Sequence, residues 1–198
     1  MSPEAAFSPS PSSARLLTIM GSGETAPTMV KVHRFVLERL GPPPVPAVLL
    51  DTPFGFQENH LELARRVVAY FKESLNAPIE VASLPAGDLE ATGGSDGPLR
   101  SPEARFGDER LVSAIRTARY VFAGPGSPSY ALRRWSGTVV PSLLAEKLRH
   151  GGGICFSSAA ALTLGVSTVP VYEIYKVGEA PHWLDGLDLL SESGLRAA

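Results

Sequence analysis

The sequence of 198 residues is poor in the groups that most often crosslink or ligate: it has one cysteine, four histidines, and only 4 lysines beside 14 arginines. A lone Cys155 excludes an internal disulfide and any Cys-x-x-Cys or zinc-finger ligand set. Its place in an apolar run predicts a small core residue, and a reducing, cytoplasmic setting is expected. Neither a metal nor a cofactor is expected. Nowhere do about 18 apolar residues run uninterrupted, so no membrane-spanning segment is predicted. A formal net charge of −2 without a block of like charge offers no electrostatic footprint for nucleic acid or an anionic membrane surface, and neither partner is expected. Residues 1–13 are rich in Ser and Pro and have neither a basic start nor an apolar core, so they read as a disordered tail rather than a signal peptide. The excess of Arg over Lys beside many Ala, Gly and Pro points to a GC-rich bacterial genome. No internal repeat is visible.

What is present is an alternation of strand-like and helix-like segments in a chain long enough for one self-sufficient core. Strands are predicted at residues 15–20, 45–50, 79–84, 120–123 and 152–156, and helices at 28–40, 59–74, 109–117 and up to residue 150. In the second helix Asn59 stands as N-cap, and Leu61, Ala64, Val68 and Phe71 fall on one stripe. Residues 86–107, with Gly93, Gly94 and Gly97, read as a surface loop. Strands apolar enough to be covered on both faces predict an α/β fold: a three-layer α/β/α sandwich around a mainly parallel, doubly wound, flavodoxin-like sheet spanning residues 14–198.

Such sheets bind ligands outside the carboxyl ends of their strands. Four of those ends carry polar or glycine-rich turns: Gly21-Ser-Gly-Glu24, Asp51-Thr-Pro53, Gly124-Pro-Gly126 and Ser157-Ser158. The first lacks the third glycine of a dinucleotide fingerprint. The last is the most informative. Ile154, Cys155 and Phe156 form a buried strand, the residues from Ala159 onward favour helix, and a serine at so sharp a corner is pushed out of the sheet beside the free N–H groups of a helix start. The plainer role for either serine is that of an N-cap.

Together, Gly21-Ser-Gly-Glu24, Asp51-Thr-Pro-Phe-Gly-Phe-Gln-Glu-Asn59, Phe122-Ala-Gly-Pro-Gly-Ser127 and Ser158-Ala-Ala-Ala161 resemble the peptidase S51 family, which includes dipeptidase E and cyanophycinase, within the class I glutamine amidotransferase-like superfamily. The resemblance covers roughly residues 15–190. It implies a serine hydrolase acting on a small peptide or isopeptide bond, one following an aspartyl residue among them. Ser158 matches the nucleophile, with Ala160 standing where the family has Gly in Ser-Ala-Gly-Ala, and Ser157 is its rival. The resemblance also implies an oxyanion hole from the N–H groups of Ala159 and Gly126, and an orienting carboxylate at Glu173, fifteen residues after Ser158. Glu24 and Asp51 are further candidates on the same rim.

A serine nucleophile needs a base. His33, His60 and His150 fall on predicted helices and read as surface or partly buried residues, whereas His182 follows the elbow in Ala180-Pro-His-Trp183. In the family, a segment like residues 186–190 is followed by another strand and the catalytic histidine. The expectation is therefore a C-terminally incomplete domain, weak as a hydrolase in this form, with His182 as the local substitute. Two other readings stand beside it: a noncatalytic ligand-binding domain on the same fold, and, ranked last, a glutamine amidotransferase using Cys155. Arg133 and Arg134 could reach a substrate carboxylate. Self-association into a homo-oligomer is left open.

Overall fold

A computed structural model describes residues 14–84 and 109–192; the tail and the glycine-rich loop expected from the sequence lie outside the described residues. The elements are β1 (Arg15–Met20), α1 (Val30–Leu40), β2 (Ala47–Leu50), α2 (His60–Leu75), β3 (Ile79–Ala82), α3 (Glu109–Thr117), β4 (Tyr120–Ala123), α4 (Pro128–Trp135), α5 (Val140–His150), β5 (Gly152–Ser157), α6 (Ser158–Leu162), β6 (Ser167–Thr168), a π-helical turn (Glu173–Val177), β7 (Leu184–Asp185) and α7 (Leu189–Glu192). The first five strands form one parallel sheet in the order β1-β5-β4-β2-β3, with β6 and β7 making a separate antiparallel pair. Central strands β2, β4 and β5 are buried at every position. This is the α/β architecture that uninterrupted apolar strands require, since a parallel sheet must be covered on both faces.

Each face has its own core. On one, Val48, Leu50, Val121, Ala123, Ile154 and Phe156 pack against α3, α4 and α5, with Trp135 stacked on Phe156 at 5.8 Å between ring centroids. On the other, Leu49, Tyr120, Phe122 and Cys155 meet α1 and α2, where Phe71 lies 5.4 Å from Phe122. Burying one such aromatic contributes about 1.5–3 kcal/mol.

Several boundaries differ from those read off the sequence, each for a local reason. β2 begins only after Pro46, which has no N–H to give the ladder and instead accepts from the backbone N–H groups of Arg119 and Tyr120. β3 stops at Ala82, paired with Leu50 at the end of β2, and the next residue, Ser83, gives its hydroxyl to Asp51. In α2 the inward stripe is Ala64, Val67, Phe71 and Leu75, while Leu61 is 57% exposed. Asn59 occupies the N-cap position of that helix without making a side-chain cap bond. His33 is not a surface group: it is wholly buried, held between the aromatic rings of α2 and β4.

Candidate functional site

Register places the site. Ile19, Phe156, Ala123, Leu50 and Ala82 are paired across the sheet, so Ser157, Gly124, Asp51 and Ser83 form the next row, at the carboxyl rim. Ser157 still belongs to β5, extended at φ −124° and ψ 154°. Ser158 breaks the strand with φ +49°, in the left-handed region that costs a non-glycine residue about 1–2 kcal/mol. Helix α6 starts at that residue, and the N–H of Ala160 ties the corner to the carbonyl of Gly124, the residue after the neighbouring strand β4, at 3.2 Å. Ser158 is partly buried at the rim, whereas Ser157 is wholly buried. The two candidate serines therefore differ in access: Ser158 reaches the surface of the rim and Ser157 faces inward.

Glu24, at the end of the turn after β1, is buried alongside Ser157. A Cβ placed on Gly124 would stand 3.6 Å from Ser157 Oγ and 3.7 Å from Glu24 Oε1, so the bare glycine lets both groups approach one spot. The Glu24 backbone is fixed from behind. His33 Nε2 donates to the Glu24 carbonyl at 2.7 Å, which leaves Nδ1 to accept from the Tyr120 hydroxyl at 2.7 Å. Burial lowers the His33 pKa, in keeping with a neutral ring. With both nitrogens engaged, His33 is a strut for the rim.

The turn after β4 makes the second wall. Gly126 has φ +139°, and a Cβ there would fall 1.9 Å from the carbonyl oxygen of Pro53; only glycine permits this approach, which the Ser127 N–H completes by donating to Pro53 O at 2.8 Å. Ser127 caps α4, accepting from the Tyr130 N–H at 3.0 Å with Pro128 in the first helical turn. Its hydroxyl donates to Glu173 Oε1 at 2.7 Å, and the Ser129 hydroxyl donates to the same oxygen. Glu173 opens the π-helical turn, and its Oε2 is buried with no hydrogen-bond partner among the described residues. Burial pushes the Glu173 carboxyl up, but the Ser129 and Ser127 hydroxyls outweigh it and hold the pKa below the ordinary value. The carboxylate thus stays charged at neutral pH with one buried oxygen unpartnered among the described residues.

Thr52 Oγ1 and Ser157 Oγ are likewise buried without partners among the described residues. An unpaired buried polar atom costs about 1–3 kcal/mol, and three of them belong to segments of this one rim. Asp51, 3% exposed, accepts from the Ser83 hydroxyl at 2.5 Å. Its pKa is raised, first by burial, against the opposing pull of Ser83 and His60. Above these groups Phe56 packs on Tyr130 and Tyr172, with centroids 5.2 and 5.1 Å apart, joining the loop after β2 to α4 and to the residue before Glu173. Sequence reasoning did not find Ser127, Ser129, the Phe56 cluster or the His33 strut. A Ser-Pro start to a helix was the one legible signal among them.

The remaining candidates fall elsewhere. Cys155 lies inside β5 at 0% exposure, and its thiol pKa is pushed up to about 12, chiefly by burial; a thiol in that state is not a nucleophile at neutral pH. His182 is exposed and donates from Nδ1 to the Ala180 carbonyl at 3.0 Å. His150 ends α5 at the opposite end of the sheet, and His60 Nδ1 donates to the Gln57 carbonyl. Arg133 is exposed on α4, while Arg134 is partly buried beside the Asp51 turn. No helix among the described residues is long and apolar enough to cross a membrane.

Among solved structures, the chain is similar to a peptidase from an acI-B1 Actinobacterium, with a TM-score of 0.63 at 17% identity over 88% of this chain and 64% of that one. It is also similar to a candidate peptidase E of Listeria monocytogenes EGD-e, with a TM-score of 0.54 at 15% identity over 87% of this chain and 74% of that one. At these identities what is shared is the fold, a peptidase E-like α/β architecture, and the chain spans 64% of the length of the first relative. No family model and no curated protein matches it.

Proposed function

We propose that the chain is a serine-type hydrolase of the peptidase class, with Ser158 as the nucleophile and a short peptide or isopeptide bond as its target. The observation that supports this reading is the backbone at Ser158: φ +49° at the carboxyl end of a fully buried central strand. Strain of this kind persists where the surroundings over-determine it, and it is characteristic of strand-to-helix corners that present a nucleophile. The first N–H groups of α6 have no acceptor within the helix, so the Ala159 N–H, with that of Gly126 across the rim, is suited to a developing oxyanion. Such a donor contributes about 10²–10³ in rate.

Glu173 takes the role of orienting carboxylate. Two serine hydroxyls fix Oε1, and the unpartnered Oε2 is suited to accept from the N–H of a base. Of the histidines among the described residues, His182 follows this carboxylate in the chain; its Nδ1–H, which now donates to the Ala180 carbonyl, has to turn to Glu173 Oε2 for Nε2 to take the Ser158 proton, and we assign it as the candidate base. A general base contributes about 10²–10⁴ in rate, so turnover depends on whether His182 comes to Ser158 during the reaction.

A fluorophosphonate probe, followed by peptide mapping, tests the assignment. Labelling is expected on Ser158, lost in Ser158→Ala and kept in Ser157→Ala, with no alkylation of Cys155 by iodoacetamide at pH 8. Assays on aspartyl peptides of two to four residues and on activated esters complete it, with His182→Ala expected to lower turnover by about 10²-fold or more. A folded protein that takes no label would sink the hydrolase reading in favour of a noncatalytic ligand-binding domain.

A further inference from the structure

Two strands from Ser158 along the rim, the structure contains a recess of about 180 Å3 lined by Asp51, Thr52, His60, Ser83, Tyr130 and Arg134. Polar side chains line it beside Leu84 and the backbone of Gly55. Asp51 and Thr52 are each 3% exposed, yet Asp51 carries a carboxylate and the Thr52 hydroxyl has no partner among the described residues. A buried carboxylate and an orphaned hydroxyl side by side cost stability unless a ligand completes them.

The acceptors that remain have a definite pattern. Ser83 takes Asp51 Oδ2, but an ionised carboxylate offers about four lone-pair sites, so capacity is left. His60, whose Nδ1 donates to the Gln57 carbonyl, lines the recess beside them. With Thr52 Oγ1, this leaves one anionic acceptor with spare lone pairs and one unpartnered hydroxyl side by side on the turn after β2. An ammonium group has three N–H donors and one positive charge. On α4, Tyr130, a hydroxyl donor, lines the same recess, which suits a carbonyl oxygen of a peptide.

We propose that this recess is the subsite for the free, charged amino end of a short peptide. Resting on the reading of Ser158 as nucleophile, it gives the substrate a direction. Adjacent strands stand about 4.8 Å apart, so Asp51 and Ser157, on either side of Gly124, are about 10 Å from one another. An extended residue spans about 3.5 Å. A peptide with its ammonium on Asp51 therefore reaches the elbow after two to three residues.

The test measures binding by calorimetry in the Ser158→Ala protein, where turnover does not interfere. The probes are Ala-Ala-Ala, its N-acetylated form and n-propylamine. The expected result is binding of Ala-Ala-Ala, at least tenfold weaker binding of the acetylated peptide, and measurable binding of propylamine at millimolar concentration. Asp51→Asn, which keeps an acceptor for Ser83, should lower the affinity for Ala-Ala-Ala and propylamine at least tenfold; Thr52→Val should lower both several-fold. Thr52→Val also serves as the second variant should Asp51→Asn fail to fold. Equal binding of free and acetylated peptide, or affinity unchanged in the folded variants, overturns the proposal. Labelling of Ser158 without this binding pattern sinks the subsite alone. The binding pattern without labelling of Ser158 sinks the hydrolase reading alone.

Discussion

The corner at Ser158 and the segment that begins at Glu173 are built in opposite ways. Ser158 follows a strand hydrogen-bonded on both sides, to β1 and β4, and is followed by the buried Ala159 and Ala160. Glu173 begins a segment that runs outward: Tyr175 is 83% exposed, Val177 66% and Trp183 73%. Its described tie to the rim is the pair of hydroxyls from Ser127 and Ser129. The position of Ser158 is therefore set by apolar packing and backbone ladders, which do not depend on pH, whereas the position of the Glu173 carboxylate is set by charge-assisted hydrogen bonds, which do.

The largest break in this contrast is expected from Gly126→Ala. A methyl group there collides with Pro53 O and meets an unfavourable φ, so we expect a loss of about 3 kcal/mol or more in denaturant unfolding. Such a loss would mark the turn after β4 as the joint on which both serine and carboxylate hang. A loss under about 1 kcal/mol would mean that the two loops part freely.

Glu173→Gln should cost about 1–2 kcal/mol at pH 7, because two charge-assisted bonds become neutral ones. The sign of the pH dependence follows from the lowered pKa. A carboxyl held below its ordinary value contributes stability above that value and loses it as pH falls through the folded pKa. Unfolding of wild type and variant measured from pH 7 to pH 3 should therefore converge at the acid end. Parallel curves would show that the Glu173 charge does not fasten the segment.

The smallest effect is expected at the corner itself. Ser158→Gly relieves a left-handed conformation worth about 1–2 kcal/mol and adds about 0.5–1 kcal/mol of chain entropy cost. The net is a gain of about 0.5 kcal/mol in stability, together with loss of labelling. A destabilised Ser158→Gly protein would contradict a strained elbow.

How far the chain could be read in advance varies along it. The strand cores and the helix Glu109–Thr117 were legible because continuous apolar runs and a 3.6-residue period act locally. The corner at Ser157 and Ser158 was legible too, as a strand that stops at small polar residues. The face of α2 was not: apolar residues sit on both sides of it, and only packing on Phe122 and Tyr120 selects Val67 and leaves Leu61 outside. The same holds for His33, whose burial depends on a partner 87 residues away.

By itself, the sequence determined the class of fold and the places where polar groups interrupt buried strands, because backbone hydrogen bonding and apolar burial leave a chain of this pattern few alternatives. The tertiary structure decided which of two adjacent serines is open, how Glu173 meets Ser127 across 46 residues, and that Asp51, Thr52 and His60 enclose one recess. Those outcomes depend on the order in which strands lie side by side. Strand order is a property of how crossovers close, and it has no counterpart in any local run of residues.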